Sequence, residues 1–346
     1  MKKKLGICIP LSDEEYKKVE EYCDITYIET NDMSEEDLCD KLNGNEIIVT
    51  MGEYAGKTTI DKWADNGLEF LINARGTPTM VDWQALHDRG IPLGHCPGRN
   101  AVAVVEFTVG LMIMLLKKIN QAMIGMHDGY YLGEEKDNVF DYIEKKDVNW
   151  NYDEGSPYMT MGFGGELYGR TVGIVGYGAI GRKVAKICKA FNMTVMAYDP
   201  YFPKEKMEED GAIPSTVEDL LKNSDIVSIH LPVTEETRGS IDDEWFNMMK
   251  PSALFINTAR AAVVKQEALV KALEEEKIAG AALDVFWEEP IPSNHPLLKM
   301  KNVITTPHMA SLTYEVYNVW TNKLVIDHII RYCEGKPMEN IWKKLK

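Results

Sequence analysis

The sequence predicts an α/β protein built from two doubly wound parallel sheets with a cleft between them. Three observations predict it. Short apolar runs alternate with charged helical stretches over the first hundred residues. A glycine-rich turn, Gly176–Gly181, joins an apolar strand to an amphipathic helix. From Thr171 the strand–helix alternation repeats as far as Thr305. The chain has 346 residues, enough for two or three domains with substantial cores.

In chain order, Leu5–Ile9, Ile25–Ile28, Ile47–Thr50 and Phe70–Ala74 read as short buried strands. Asp13–Tyr22 and Ser34–Leu42 are the helices between them, the second opening on a Ser34/Asp37 capping box. The start, Met1-Lys2-Lys3-Lys4, has the charge of a leader segment. The apolar run behind it is short and broken by Pro10, so it reads as a first strand. Asn100 caps a long apolar helix reaching about Ile119. Its run Ala101–Leu116 carries Glu106 and Thr108, which makes it a buried helix and not a membrane span. That helix suits a bridge between domains or a contact with a second subunit.

Asp128–Gly165 is the least regular stretch, rich in Tyr, Asp, Glu and Gly, with a charge run at Glu144–Asp147. A solvated excursion and an oligomer arm fit it equally well. Beyond it, strands are expected at Thr171–Val175, Thr194–Tyr198, Ile226–His230, Ala253–Asn257, Ala281–Val285 and Val303–Thr305. Helices are expected near Gly181–Phe191, Thr216–Asn223 and Gln266–Glu276, with a Ser215/Glu218 capping box.

The formal net charge of -16 argues against a nucleic-acid partner. It also means that an anionic substrate needs a local positive pocket. The cysteines Cys8, Cys23, Cys39, Cys96, Cys188 and Cys333 form no C-x-x-C pair and no metal spacing. A reduced, cytoplasmic setting without a bound metal fits them. No solenoid repeat or low-complexity tract is visible.

The glycine turn carries the most specific signal. Gly176 allows a tight turn, Gly178 lets the backbone approach a pyrophosphate, and Gly181 lets the helix pack closely on the strand. Tyr177, Ala179 and Ile180 complete the loop, and the helix N-terminus offers N–H groups to the anion. Glycines also mark plain turns, but here strand, helix and acid stand in the expected order. Asp199 ends the next strand, where a carboxylate accepts ribose hydroxyls and repels a 2′-phosphate. NAD is therefore expected rather than NADP. A turn cap before Pro200 is the plainer role for Asp199.

Polar residues also recur at later strand ends: Asn257-Thr258-Ala259-Arg260, Asp284 through Glu289-Pro290, and Thr306-Pro307-His308. In a doubly wound sheet these ends converge on one crevice. The set suits hydride chemistry on a 2-oxo acid. The alkoxide formed needs a proton, which His308 can supply. A neighbouring carboxylate favours an imidazolium, and either Glu288 or Glu289 could provide it. Arg260 can hold a carboxylate in a two-pronged geometry. Taken singly, each residue also has a structural role open to it: turn histidine, loop charge, strand cap.

These motifs, with Gly165-Glu166-Leu167-Tyr168-Gly169-Arg170-Thr171 and His230-Leu231-Pro232, resemble those of the D-isomer-specific 2-hydroxyacid dehydrogenases. The resemblance is strongest from Gly165 to Ser311 and implies two Rossmann-like or flavodoxin-like domains. Residues 1–100 plus 312–346 would form the substrate domain and 101–311 the NAD-binding domain. It implies Arg260, Glu289 and His308 as the catalytic set, which chooses Glu289 over Glu288. It implies Thr258, Ala259, Asp284 and His308 near the nicotinamide, and His230, Leu231 and Pro232 on the adenine side. Loops at Met51-Gly52 and Arg75-Gly76 would bind the substrate carboxylate with Arg260. A homodimer acting on a small 2-oxo or 2-hydroxy acid is the usual form, with no nucleic-acid or membrane partner.

Three departures from the family pattern matter. Phosphoglycerate-type dehydrogenases often have an Arg-rich stretch after the third strand, where this chain has Met51-Gly52-Glu53-Tyr54. Glu53 would repel a phosphate. The stretch before Gly165 is longer than usual. Related formate dehydrogenases place a glutamine where Glu289 stands. The resemblance leaves two further readings: a phosphoglycerate- or hydroxypyruvate-type enzyme, and an NAD(H)-sensing regulatory protein. Tyr54, Trp287, Tyr314 and Trp320 could line a side-chain pocket or simply pack in the core.

Overall fold

Strands buried on both faces need helices on both sides, and that rule governs this chain. The computed structural model describes residues 2–132, 135, 137, 138, 140 and 156–343, without the side chain at 158. Most of the Asp128–Gly165 excursion, with the charge run Glu144–Asp147, lies outside the described residues. The chain divides into two units: Met1–Ala103 with Ser311–Lys346, and Val104–Ala310.

The first unit holds β1 (Lys3–Ile7), β2 (Cys23–Tyr27), β3 (Ile47–Thr50), β4 (Phe70–Asn73) and β5 (Leu93–His95). All pair in parallel, in the order β2-β1-β3-β4-β5. Every residue of β3 and β4 is buried. The helix Thr321–Cys333 returns to this unit and packs Val325, Ile326 and Ile329 against Leu5, Val49 and Phe70.

The second unit holds β6 (Thr171–Val175), β7 (Thr194–Tyr198), β8 (Ile213–Pro214), β9 (Ile226–Ile229), β10 (Leu254–Asn257), β11 (Gly280–Leu283) and β12 (Val303–Thr305). The order is β12-β11-β10-β9-β6-β7-β8, again all parallel. The order reverses at β6, the strand that feeds the glycine turn. Doubly wound sheets bind ligands beyond the carboxyl ends at such a point.

The structure corrects several expected boundaries. β1 starts at Lys3 and ends at Ile7, two residues earlier than the apolar run suggests. β5 and β8 were not expected, because three residues centred on Gly94 and two ending in a proline carry no periodic signal. The long apolar helix stops at Leu116, and Lys118 at φ +57 separates it from a second helix, Ile119–His127. The cap near 215 is Thr216 with Asp219, not Ser215 with Glu218. The Thr216 hydroxyl accepts the Asp219 N–H at 3.1 Å, while Ser215 donates to the Ile213 carbonyl. A complete capping box stands instead at Ser12 and Glu15.

Candidate active site

The three fingerprint glycines are required for different reasons. Gly176 sits at φ +92, and an added Cβ would lie 2.6 Å from the His230 carbonyl oxygen. At Gly181 a Cβ would lie 2.1 Å from the Gly176 carbonyl oxygen, so helix and strand meet only if this residue has no side chain. Gly178 is different. Its φ of -80 is ordinary, and a Cβ there would meet no protein atom within 4 Å. Nothing in the chain's own packing asks for glycine at 178. The space it leaves open lies at the N-terminus of the helix Ala179–Ala190, which has no side-chain cap. Uncapped N–H groups beside a clear backbone are what a pyrophosphate needs, so these residues fit a dinucleotide.

Around the turn, Ala179 is exposed and Ile180 packs partly on the core. Tyr177 is fully buried with its ring 5.4 Å from Phe202, and burial pushes its phenol up to about 12. Asp199 accepts the Tyr177 N–H at 2.8 Å and the Tyr201 N–H at 2.9 Å. It is thus both the turn cap and the strand-end acid. A carboxylate has about four acceptor sites, so two remain for hydroxyls. His230 pairs its Nε2 with the Ser228 hydroxyl at 2.9 Å. Its buried Nδ1 has no partner among the described residues, and burial lowers its pKa to about 4, so it is neutral. Leu231 packs on the core, and the Pro232 carbonyl accepts from Thr237.

The later strand ends carry Arg260, Glu289 and His308. The Asn257 amide donates to the Arg260 carbonyl at 3.0 Å, and its oxygen accepts the Ala259 N–H at 3.0 Å. This ties the loop so that Arg260 emerges exposed, with one guanidinium nitrogen on the Ala259 carbonyl. Thr258 is held by the buried Thr108 hydroxyl at 2.7 Å. Asp284 is completely buried and accepts from the Thr306 hydroxyl and from the Met309 and Ala310 N–H groups, at 2.6, 2.9 and 2.9 Å. Its carboxylate therefore holds the loop that carries His308. His308 itself stands at φ +52, a left-handed conformation costly for a residue other than glycine.

Glu289, not Glu288, meets His308: its Oε2 lies 2.8 Å from Nδ1. The other oxygen of Glu289 accepts the Phe286 N–H at 3.0 Å. A carboxylate only accepts, so the hydrogen sits on Nδ1 and Nε2 is left for proton transfer.

The two first-unit loops are held in different ways. Glu53 folds back and accepts the Met51 and Gly52 N–H groups at 2.6 and 3.1 Å, and the Thr30 hydroxyl at 2.6 Å. The Met51-Gly52 donors are thereby already taken by the chain's own carboxylate. Near the second loop, the Arg75 N–H donates to the Asn73 carbonyl and the Gly76 carbonyl accepts from His95. An added Cβ on Gly76 would have its nearest neighbour at 3.8 Å. Of the four aromatics, Tyr54 and Tyr314 are exposed, and Trp320 is 40% exposed. The Trp287 indole is fixed on the Val264 carbonyl at 2.8 Å. Sequence reasoning missed Thr108 and Ser228, whose roles arise only from pairing across the fold.

The family profile described as D-isomer specific 2-hydroxyacid dehydrogenase, NAD binding domain, matches residues 109–310. YoaD of Bacillus subtilis (strain 168), a 2-hydroxyacid dehydrogenase by name, is 41% identical over 275 residues, covering 79% of this chain and 73% of that one. A glyoxylate reductase from Thermofilum pendens is 41% identical over 239 residues, covering 68% of this chain. The chain spans 63% of that relative's length. The NAD-complexed D-isomer specific 2-hydroxyacid dehydrogenase of Lactobacillus delbrueckii ssp. bulgaricus has the same fold, with a TM-score of 0.76 at 24% identity. That match covers 98% of this chain and 100% of the other.

The chain belongs to the D-isomer-specific 2-hydroxyacid dehydrogenase family. It is an oxidoreductase acting on the CH–OH group of its donor, with NAD as cofactor.

Proposed function

We propose that the chain interconverts a small 2-oxo acid and the corresponding D-2-hydroxy acid, with His308 moving the proton. The observation that carries this reading is the 2.8 Å pair between His308 Nδ1 and Glu289, which leaves Nε2 for the substrate oxygen. NADH, when bound, supplies the hydride. Residues of the glycine turn and Asp199 would hold the dinucleotide, with Thr258 and Ala259 at the nicotinamide end and His230 to Pro232 at the adenine end. Asp284 acts one step back, by fixing the loop of His308.

Arg260 presents donors in a fixed fork and would hold the substrate carboxylate, so that the carbonyl carbon faces the hydride. In the reducing direction Nε2–H of the imidazolium donates to the developing alkoxide. In the oxidising direction neutral Nε2 takes the hydroxyl proton. Glu289 orients the ring and balances its positive charge. We assign Arg75 and Gly76 to substrate binding and the first unit as the substrate domain.

We further infer a homodimer in the cytoplasm. Met123, Ile124 and Met126 are exposed apolar side chains on one short helix and suit a subunit contact. Among the described residues, no helix is long and apolar enough to cross a membrane. The six cysteines are free thiols, with the Cys23 and Cys333 sulfurs 3.7 Å apart.

The test is NADH oxidation across a panel of 2-oxo acids, with NADPH in parallel. Turnover of one substrate class with NADH is expected. Tight NADH binding with no turnover of any 2-oxo acid would overturn the reading in favour of a sensing protein.

A further inference from the structure

Two of the six cysteines meet in the fold. The Sγ atoms of Cys23 and Cys333 lie 3.7 Å apart, across 310 positions of sequence. Cys23 opens β2, an edge strand of the first sheet. Cys333 ends the helix Thr321–Cys333, which packs on that sheet. Both belong to the first unit, one in each of the two chain segments that build it. The residues beside them are tied down as well. The Tyr22 hydroxyl donates to Glu334 at 3.1 Å. The Tyr332 ring stacks on Phe70 at 5.0 Å, and its hydroxyl donates to Glu69 at 2.8 Å.

The surroundings of the two sulfurs differ. Cys23 is 1% exposed, whereas Cys333 alone of the six cysteines is only half-buried. The hydrogen bond between them lowers the Cys333 pKa below the ordinary thiol value. The Lys3 ammonium adds to this, against burial and the carboxylates of Glu46 and Glu334. The same bond, together with burial, pushes the Cys23 thiol up. With one proton between them, it stays on Cys23, which donates to a Cys333 thiolate. Burial pushes the Cys96 and Cys188 thiols up to about 12, which makes them poor nucleophiles.

The thiolate is the reactive form of cysteine, and an accessible one beside a second sulfur is the arrangement of redox-sensing pairs. At 3.7 Å the sulfurs are in van der Waals contact, and a bond needs them about 1.7 Å closer. Plain packing of two sulfurs requires neither the exposure of Cys333 nor its low pKa.

We propose that Cys333 and Cys23 form a redox-sensitive clamp, closed by a hydroperoxide and opened by a dithiol reductant. The Cys333 thiolate attacks one peroxide oxygen, the O–O bond breaks, and the other oxygen leaves with the electron pair. Cys333 is then a sulfenic acid. The Cys23 sulfur attacks it, the S–S bond forms, and the S–O bond breaks. The hydroxide released takes the Cys23 proton and leaves as water. The two thiols lose two electrons, and the hydroperoxide gains them to become an alcohol, or a second water when it is hydrogen peroxide. In a reducing setting the clamp rests open. Closed, it ties off a loop that contains all of Val104–Ala310, so the two segments of the first unit can no longer part. Cys23 stands at the amino end of β2, whereas the Met51 and Arg75 loops follow the carboxyl ends of β3 and β4 in the same parallel sheet. Closure therefore acts on stability, and the clamp does not depend on the dehydrogenase reading.

The test treats the full-length chain with a small excess of hydrogen peroxide and reads intact mass, peptide map and melting temperature. Wild type should become two hydrogens lighter and map to a Cys23–Cys333 linkage. It should also melt roughly 5–10 °C higher, as a disulfide of ordinary worth would make it. Dithiothreitol should reverse all three changes. In Cys23→Ser no resolving sulfur remains, so dimedone, which traps sulfenic acids, should label Cys333. In Cys333→Ser dimedone should leave Cys23 unlabelled. Should either variant fail to fold, limiting iodoacetamide on reduced wild type decides the order, and Cys333 should be alkylated first. A linkage through any other cysteine, reaction of Cys23 ahead of Cys333, or a sulfonic acid in place of the disulfide overturns the clamp. So does an oxidised wild type that melts where the reduced one does.

Discussion

The two parallel sheets finish their carboxyl ends in opposite ways. After β6, the glycine turn leaves its helix uncapped and a clear space at Gly178. After β3, the turn closes on itself, with Glu53 taking the N–H groups that a ligand would need. Both strands are parallel and centrally placed, and nearly all their residues are buried. Sheet architecture therefore does not decide which end can take an anion. What decides it is whether the loop after the strand satisfies its own donors.

The largest expected effect breaks the open end at its chemistry. His308→Ala should lower kcat by roughly two to four orders of magnitude, the usual worth of a positioned acid/base group. His308 is substantially exposed, so stability should change little. A stopped assay with equal NADH binding would check that only the proton step is lost. Near wild-type turnover would remove His308 from the mechanism.

The glycines sharpen the comparison within one motif. Gly181→Ala forces a Cβ to 2.1 Å from a backbone oxygen and should cost about 3 kcal/mol by overpacking. Gly178→Ala meets no protein atom and should leave the melting temperature almost unchanged, while NADH affinity falls about tenfold or more. Thermal melts with and without NADH separate the two. Equal melting shifts for both variants would mean that Gly178 is also a packing residue.

This contrast marks the limit of what the chain reveals before folding. The apolar runs at Ile47–Thr50, Phe70–Asn73, Thr171–Val175 and Thr194–Tyr198 are plain because a doubly covered strand must be apolar throughout. The glycine spacing and the His, Glu and Arg motifs are plain because their chemistry restricts residue type. Gly94 in β5 and Pro214 in β8 conceal strands that exist only because a neighbour pairs with them. The Thr108 to Thr258 contact spans 150 positions, and no local pattern announces it. Nor could Glu53 be read as a loop closer, since a carboxylate after a strand also looks like a solvent-facing charge.

Asp199 tests the open end from the cofactor's side. Asp199→Asn keeps a neutral oxygen for the Tyr177 or Tyr201 N–H but loses the charge that excludes a 2′-phosphate. The ratio of kcat/KM for NADH over NADPH should fall roughly 10- to 100-fold, the range for a hydrogen bond to a charged group. Asp199→Ala should add a drop in melting temperature, because two backbone N–H groups lose their acceptor. An unchanged cofactor ratio in both variants would make Asp199 a turn cap alone.

The smallest effect comes from opening the closed end. Glu53→Ala releases the N–H groups of Met51 and Gly52 and the Thr30 hydroxyl. The loop is partly exposed, so water replaces most of what is lost, and stability should fall by only about 1 kcal/mol. A substrate carboxylate that never used these donors should show a KM within about threefold of wild type, a shift too small for a charged hydrogen bond. A tenfold drop in KM would mean that the loop is a substrate contact held shut by Glu53. The two sheet ends would then differ in occupancy, and no longer in kind.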